Sequence, residues 1–335
     1  MRTKKAFFKL LEERQRSGKI FFRPILMQFA AQFIGKSYRE FYTDHNTLVD
    51  ANIACMEIFG TDALGLISDP FREAEAFGLV CEYPDNAVPK PKEYPVKTIE
   101  DVADLSNPDV YASKRTFDRI AGARLFRERL GEEIPLIGWI EGPLAEACDL
   151  VGVSDMLIKL AMEPDFSREL LEKAAVTAKD FARAQIENGC DIIGMGDAIC
   201  SQISPGMYRE FVLDLHKQII QDIHNQGALV KVHICGDTSH ILADLKMTDP
   251  DIVDIDCMVD MEKAYEVLGP QIIRCGNLDP AALIEKESAE QVYNHTRELV
   301  ESERGRPFIL SGGCEITPLT PVENLMAMRE ASILR

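Results

Sequence analysis

Three residues of this 335-residue chain offer a donor set for a soft metal ion. His233 and Cys235 stand in Val232-His233-Ile234-Cys235-Gly236-Asp237, and Cys314 stands in Ser311-Gly312-Gly313-Cys314-Glu315. The first stretch closes an apolar run, Ala228-Leu229-Val230-Lys231-Val232, that reads as a strand. Side chains two apart on a strand point to the same face, so the imidazole and the thiol should project together. Cys314 follows the last apolar run, Phe308-Ile309-Leu310. The two cysteines are 314 − 235 = 79 residues apart, which is no zinc-finger spacing, so the fold would have to bring the third ligand in. Two thiolates and one imidazole suit zinc, and three protein ligands leave a fourth position for water or substrate, the pattern of a catalytic site. Asp256 is expected to fill that position at rest or to orient His233. The plainer alternative is that the cysteines are small buried hydrophobes and His233 a hydrogen-bonded core residue.

The elements that must position these residues alternate along the chain. Apolar runs at 24–29, 62–69, 134–140, 191–197, 228–232, 252–256, 272–277 and 308–310 read as eight strands. Helical patterns over 4–17, 36–60, 99–131, 144–188 (with a break near Pro164) and 205–226 lie between or before them. Four prolines, Pro84, Pro89, Pro91 and Pro95, mark 81–98 as an extended insertion. Eight strands alternating with helices predict a parallel sheet, and eight units in one chain favour a closed (β/α)8 TIM barrel over an open doubly wound sheet. No Gly-rich phosphate loop follows the first strand, and no composition break marks a second domain, so a single barrel over 1–335 is expected.

The bulk numbers narrow the partners. A formal net charge of −18 argues against nucleic acid and against docking on an anionic membrane. No stretch approaches the roughly 20 apolar residues of a membrane span. Residues 1–19 are charged throughout and lack the apolar core of a secretory signal, so a cytoplasmic setting is expected, with the nine cysteines free, metal-bound or catalytic. Cys55, Cys148 and Cys190 read as packing residues; Cys257 and Cys275 have no histidine close in sequence.

In a barrel of this kind the active site lies at the C-terminal ends of the strands. Polar residues gather there: Gln28, Asp69, Glu141, Asp197, Asn277 and Asp256, besides the three candidate ligands. Asp256, Asp69 and Asp197 are the candidate catalytic carboxylates, and Gln28 and Asn277 the candidates for contacting a bound cofactor. For Asp69 and Asp197 the competing reading is capping of the following helix. Specificity is expected near Gln28, Met195, Trp139 and the 81–98 insertion.

Several short pieces, taken in order, resemble the uroporphyrinogen decarboxylase superfamily over nearly the whole chain. They are Arg23-Pro24-Ile25-Leu26-Met27-Gln28, Ile67-Ser68-Asp69, Pro135-Leu136-Ile137-Gly138 with Gly142-Pro143, Ser204-Pro205, Gly276-Asn277-Leu278-Asp279-Pro280 and Thr320-Pro321-Val322-Glu323-Asn324. The resemblance implies a (β/α)8 barrel. The decarboxylase branch carries an arginine pair after strand 1 and a Gly-His-Gly near the last strand. Here Phe29-Ala30-Ala31-Gln32-Phe33-Ile34-Gly35-Lys36 has no such pair, and Gly312-Gly313-Cys314 has no histidine. The other branch, similar to methylcobamide:coenzyme M methyltransferase, carries a His-x-Cys after strand 5 and a Cys after strand 8 that bind zinc; His233, Cys235 and Cys314 match it residue by residue.

That branch implies zinc-dependent transfer of a methyl group to or from the cobalt of a corrinoid (cobalamin) carried by a partner protein. The small substrate would be a methyl ether, such as an aryl methyl ether undergoing O-demethylation, or a thiol such as coenzyme M. Two rivals are a metal-free decarboxylase with Asp69 as its central acid, and a non-catalytic zinc barrel that binds a corrinoid.

Overall fold

The computed structural model describes residues 4–333. Eight parallel strands form its core: β1 Phe21–Phe22, β2 Leu64–Gly65, β3 Leu136–Glu141, β4 Ile192–Gly196, β5 Leu229–His233, β6 Ile252–Ile255, β7 Ile273–Leu278 and β8 Phe308–Gly312. Their hydrogen-bonded order is β1-β8-β7-β6-β5-β4-β3-β2. The ends of that order meet at Asp62, just before β2. Its N–H donates to the Phe22 carbonyl at 2.8 Å, and its Oδ2 accepts from the Phe22 N–H at 2.8 Å. The sheet thus closes into a (β/α)8 barrel, as the alternation predicts.

Alternate residues of each strand point inward and build the barrel in layers. The lowest layer is apolar: Phe21, Ala63, Ile137, Ile192, Leu229, Ile252, Ile273 and Ile309 pack as one buried cluster. The helix Lys4–Arg16 closes this end. Phe7 and Leu11 join the cluster, and the Phe7 ring meets Phe21 edge-on at 5.5 Å. The middle layer is not apolar. Trp139 fills it from β3, and Lys231 and Asp254 enter it from β5 and β6, all buried. Gly194 on β4 makes room for the indole: a Cβ there would stand 2.3 Å from Trp139 Cε3.

Four local expectations change. The first strand lies at Phe21–Phe22, not 24–29, because Pro24 has no N–H to continue the ladder and 28–33 turns helical as Gln28–Phe33. Gln28 therefore opens a helix and does not end a strand. The helix expected over 36–60 divides at Asp44, whose side chain accepts from the N–H groups of Asn46 and Thr47 and starts a new helix, His45–Phe59. The one expected over 99–131 divides into Ile99–Asp104 and Lys114–Leu130. The 81–98 insertion is partly ordered as an antiparallel pair, Val80–Glu82 with Lys90–Glu93. It is tied to the barrel mouth by Tyr42 Oη donating to the Pro84 carbonyl (2.8 Å) and Gln28 Nε2 donating to the Asn86 carbonyl (3.1 Å). Residues 1–3 of the charged N-terminal stretch and 334–335 of the expected domain lie outside the described residues.

Candidate metal centre and its cavity

β5 ends at His233, and the chain leaves it as a loop in which Gly236 takes a positive φ of 89°. That turn brings Cys235 Sγ to 3.0 Å from His233 Nε2. Cys314 arrives from beyond β8, with its Sγ 3.0 Å from Cys235 Sγ and 3.8 Å from His233 Nε2. The approach depends on Gly313, where a Cβ would stand 2.5 Å from the Cys257 nitrogen. The three donor atoms lie within 4.8 Å of one another, so the tertiary structure unites the pair on β5 with a thiol 79 positions away.

The imidazole is held from behind. His233 Nδ1–H donates to Asp254 Oδ2 at 2.6 Å, which leaves Nε2 facing the thiols, and the same oxygen pairs with Lys231 Nζ at 2.6 Å. A carboxylate on the far nitrogen fixes the tautomer a metal ligand needs. Burial opposes charge on His233, but the hydrogen bonds and attraction of Asp254 and Cys314 together outweigh it and push the imidazole up to about 9. Burial likewise opposes charge on Asp254, yet Lys231 holds it well below the ordinary carboxylate range. Between the thiols the proton stays on one side: the hydrogen bond from Cys235 pulls Cys314 down to about 4 against burial, and Cys235 is pushed far up. The donor set, two cysteine sulfurs and one oriented imidazole, fits zinc.

The centre opens into a cavity of about 170 Å³, bounded by Ile25, Met27, Ile67 and Trp139 and by the carboxyls of Asp69, Glu141 and Glu315. Trp139 stands edge-on to His233 at 5.6 Å. Glu141 ends β3; its Oε1 accepts from Arg72 Nη2 at 2.9 Å. Burial pushes Glu141 up to about 8, with Arg72 opposing and Glu73 adding to the shift. Burial also raises Glu315 to about 7, against the Gln28 N–H that donates to its Oε1 at 3.1 Å.

The expected carboxylates divide. Asp69 lines the cavity but is committed: Arg115 pairs with its Oδ2, Ser68 Oγ donates to it at 2.9 Å, and the Phe71 N–H donates to Oδ1 at 3.2 Å. Asp197 is turned away from the cavity. It accepts from the Leu144 and Ala145 N–H groups (3.3 and 2.8 Å) at the start of the helix Pro143–Val151 and from His216 Nε2 at 2.9 Å, which is the capping alternative in a stronger form. Asp256 does not orient His233; that task falls to Asp254, one inward position lower. Asp256 instead takes the Gly236 N–H at 2.9 Å and the Met258 N–H at 3.0 Å, and so shapes the loop that carries Cys235. Asn277 donates to the Val259 carbonyl at 2.9 Å, bracing the loop after β6. Gln28 sits at the rim, tied to Glu315 and Asn86.

Asp254 and Lys231 stand behind the centre, where strand-end reasoning does not look. Their signal lay in the sequence: a lysine inside the apolar run 228–232 and an aspartate inside 252–256, both at inward positions of neighbouring strands. Cys55, Cys148 and Cys190 are buried, as expected of packing residues.

Residues 20–332 match the uroporphyrinogen decarboxylase (URO-D) family. The chain belongs to that family. Relatives from both of its branches are similar to it. A uroporphyrinogen decarboxylase of Geobacter metallireducens is 30% identical over 82% of this chain and 81% of its own length. A methylcobamide:CoM methyltransferase, MtbA, of Methanosarcina mazei is 28% identical over 89% of this chain and 87% of its own. In fold, a methyltransferase from Methanosarcina mazei superposes with a TM-score of 0.87 at 22% identity, covering 99% of this chain and 98% of that one. The resemblance to the superfamily and its methyltransferase branch therefore holds. No helix of the described residues is long and apolar enough to cross a membrane.

Proposed function

We propose that this protein moves a methyl group between a small substrate and the cobalt of a corrinoid carried by a partner protein, with zinc held by His233, Cys235 and Cys314. The observation that carries this reading is the convergence of those three donor atoms at the barrel mouth, behind which Asp254 and Lys231 orient the imidazole. Bound zinc would supply a Lewis-acid position for a thiol sulfur or an ether oxygen. The chain's own residues do the rest. Ile25, Met27, Ile67 and Trp139 present apolar walls that suit a methyl-bearing substrate and keep water out. Asp256 and Gly236 set the turn that aims Cys235. Free thiols at Cys55, Cys148, Cys257 and Cys275 fit a reducing compartment.

Metal-free decarboxylation of a tetrapyrrole carboxylate is favoured by the decarboxylase relatives and by Asp69 in the cavity. Two features weigh against it. A cavity of about 170 Å³ is small even for a drug-sized ligand, which takes roughly 300 Å³ or more. Among the described residues, its lining contains no lysine or arginine to receive an anionic macrocycle.

The test is metal analysis of the purified protein together with methyl exchange between cobalamin and a panel of methyl ethers and thiols, followed by the cobalt spectrum. One zinc per chain, lost with transfer in His233→Ala, is expected. Zinc-free protein, or transfer unaffected by His233→Ala, would sink the proposal. Corrinoid binding without transfer would leave only a binding barrel.

A further inference from the structure

A carboxyl cluster stands behind the cavity and has no part in holding the metal ligands. Glu141 is the member that reaches the cavity wall, itself buried. Its Oε2 lies 3.3 Å from where a Cβ on Gly196 would stand, so the glycine leaves the carboxyl open space above β4, beside the strand that bears His233. Behind it, Glu73 Oε1 accepts the Glu141 N–H at 2.8 Å. Glu146 is buried with neither oxygen hydrogen-bonded to any described residue, and Asp149 Oδ2 is likewise covered and unpartnered. One cation serves the group: the fully buried Arg72, 2.9 Å from Glu141 and 3.4 Å from Glu73. The neighbouring Arg115 is taken by Asp69 and Glu75. Four carboxyls around one guanidinium cannot all be ionised in a buried site, so protons stay on the set.

We propose that Glu141 is the general acid of the methyl-transfer reaction and that the methyl donor is an uncharged methyl ether. The proposal rests on the methyl-transfer reading above. As the bond between the donor's oxygen and its methyl carbon breaks, the bonding pair stays on oxygen and takes the Glu141 proton, so the product leaves as a neutral alcohol or phenol. The methyl carbon bonds to a reduced, cobalt(I) corrinoid, which supplies the new pair and becomes methyl-cobalt(III). The Glu141 carboxylate that remains faces Arg72 and regains a proton from water or from the set behind it. The donor's lack of negative charge follows from the wall: Asp69, Glu141 and Glu315 line it and, among the described residues, no lysine or arginine does. A sulfonate-bearing thiol such as coenzyme M would meet carboxyls and no cation there.

The experiment uses para-substituted methyl phenyl ethers, from nitro to methoxy, with titanium(III)-reduced free cobalamin, and reads methylcobalamin by its spectrum. General acids contribute roughly 10²- to 10⁴-fold, so Glu141→Gln should lose about that much with the poorest leaving groups and less with the nitro ether. Its rate should therefore depend more steeply on phenol acidity than the wild-type rate does. Wild-type turnover of the poorer donors should fall as pH rises through about 8, where Glu141 loses its proton. The groups facing it in that titration are Arg72, Glu73, Glu146, Asp149 and Asp69, with Glu315 and His233 across the cavity. Infrared difference spectra of wild type minus Glu141→Gln at neutral pH should show a protonated carboxyl band that fades above that pH. If the variant does not fold, the wild-type pH profile and its own pH-difference spectrum decide. Equal dependence on phenol acidity in both proteins, or an ionised Glu141 at neutral pH, overturns the assignment. No methylcobalamin from wild type with any donor overturns the methyl-transfer reading itself, and the acid role with it.

Discussion

Replacing Asp254 by asparagine tests the positioning of the metal centre without touching a ligand. Asp254 Oδ2 sits 2.6 Å from both His233 Nδ1 and Lys231 Nζ, and Lys231 is only 1% exposed. Asparagine keeps the shape but not the charge. Lys231 is then left as a buried ammonium with the Trp139 ring, 5.8 Å away, as its remaining contact of note. Breaking a buried ion pair from one side costs about 3 to 5 kcal/mol, and that loss should appear in urea unfolding. The imidazole also loses the charged acceptor that fixes its tautomer, keeping at best a neutral amide oxygen. Loss of such an outer partner lowers metal affinity about 10- to 100-fold, or about 1.4 to 2.8 kcal/mol, measurable by zinc competition against a chromophoric chelator. The two effects separate in the double variant Lys231→Met with Asp254→Asn. Removing the stranded ammonium should return most of the stability, while the zinc deficit persists. Zinc affinity within twofold of wild type in Asp254→Asn would refute the positioning role. A double variant no more stable than the single one would refute the ion-pair argument.

Further outcomes follow from the packing. Cys314→Ser removes one of the two sulfur donors of the set, so zinc retained after dialysis against a chelator should drop to near background by metal analysis. Gly194→Ala puts a Cβ 2.3 Å from Trp139 Cε3 and should cost about 1 to 3 kcal/mol in unfolding; the emission of Trp139, the sole tryptophan, should shift as the ring moves. Phe7→Ala empties the barrel floor and should cost about 3 to 5 kcal/mol, read as a lower midpoint in urea. Asp197→Ala should cost at least the roughly 0.5 to 2 kcal/mol of a lost helix cap and leave zinc content unchanged, since the carboxylate serves Leu144, Ala145 and His216.

The carboxyl cluster separates two kinds of acid in one barrel. Asp69 is anchored on Arg115 and stays charged, whereas Glu141, Glu73 and Glu146 share Arg72 and are raised by burial. Environments that push carboxyls apart in this way are what acid–base chemistry at neutral pH requires.

The order of apolar runs and helical segments was enough to specify the barrel, because strand and helix periods are local properties of the chain. The donor chemistry of His233, Cys235 and Cys314 was also readable, since residue type alone fixes what a side chain can ligate. Other features depended on which elements become neighbours. Nothing local places the first strand at Phe21–Phe22 or seats the helix Lys4–Arg16 against the floor; both follow from closing the ring around Asp62 and burying Phe7 and Leu11. Asp254 and Asp256 sit on the same inward face of β6 and its exit, and only the slant of the strands decides that the lower one reaches His233. Asp197 stands at a strand end like the site residues, yet the helix Pro143–Val151 presents its free N–H groups to it and turns it to structure. The number of carboxyls that must share Arg72 is a count of spatial neighbours, and only the folded chain brings them together.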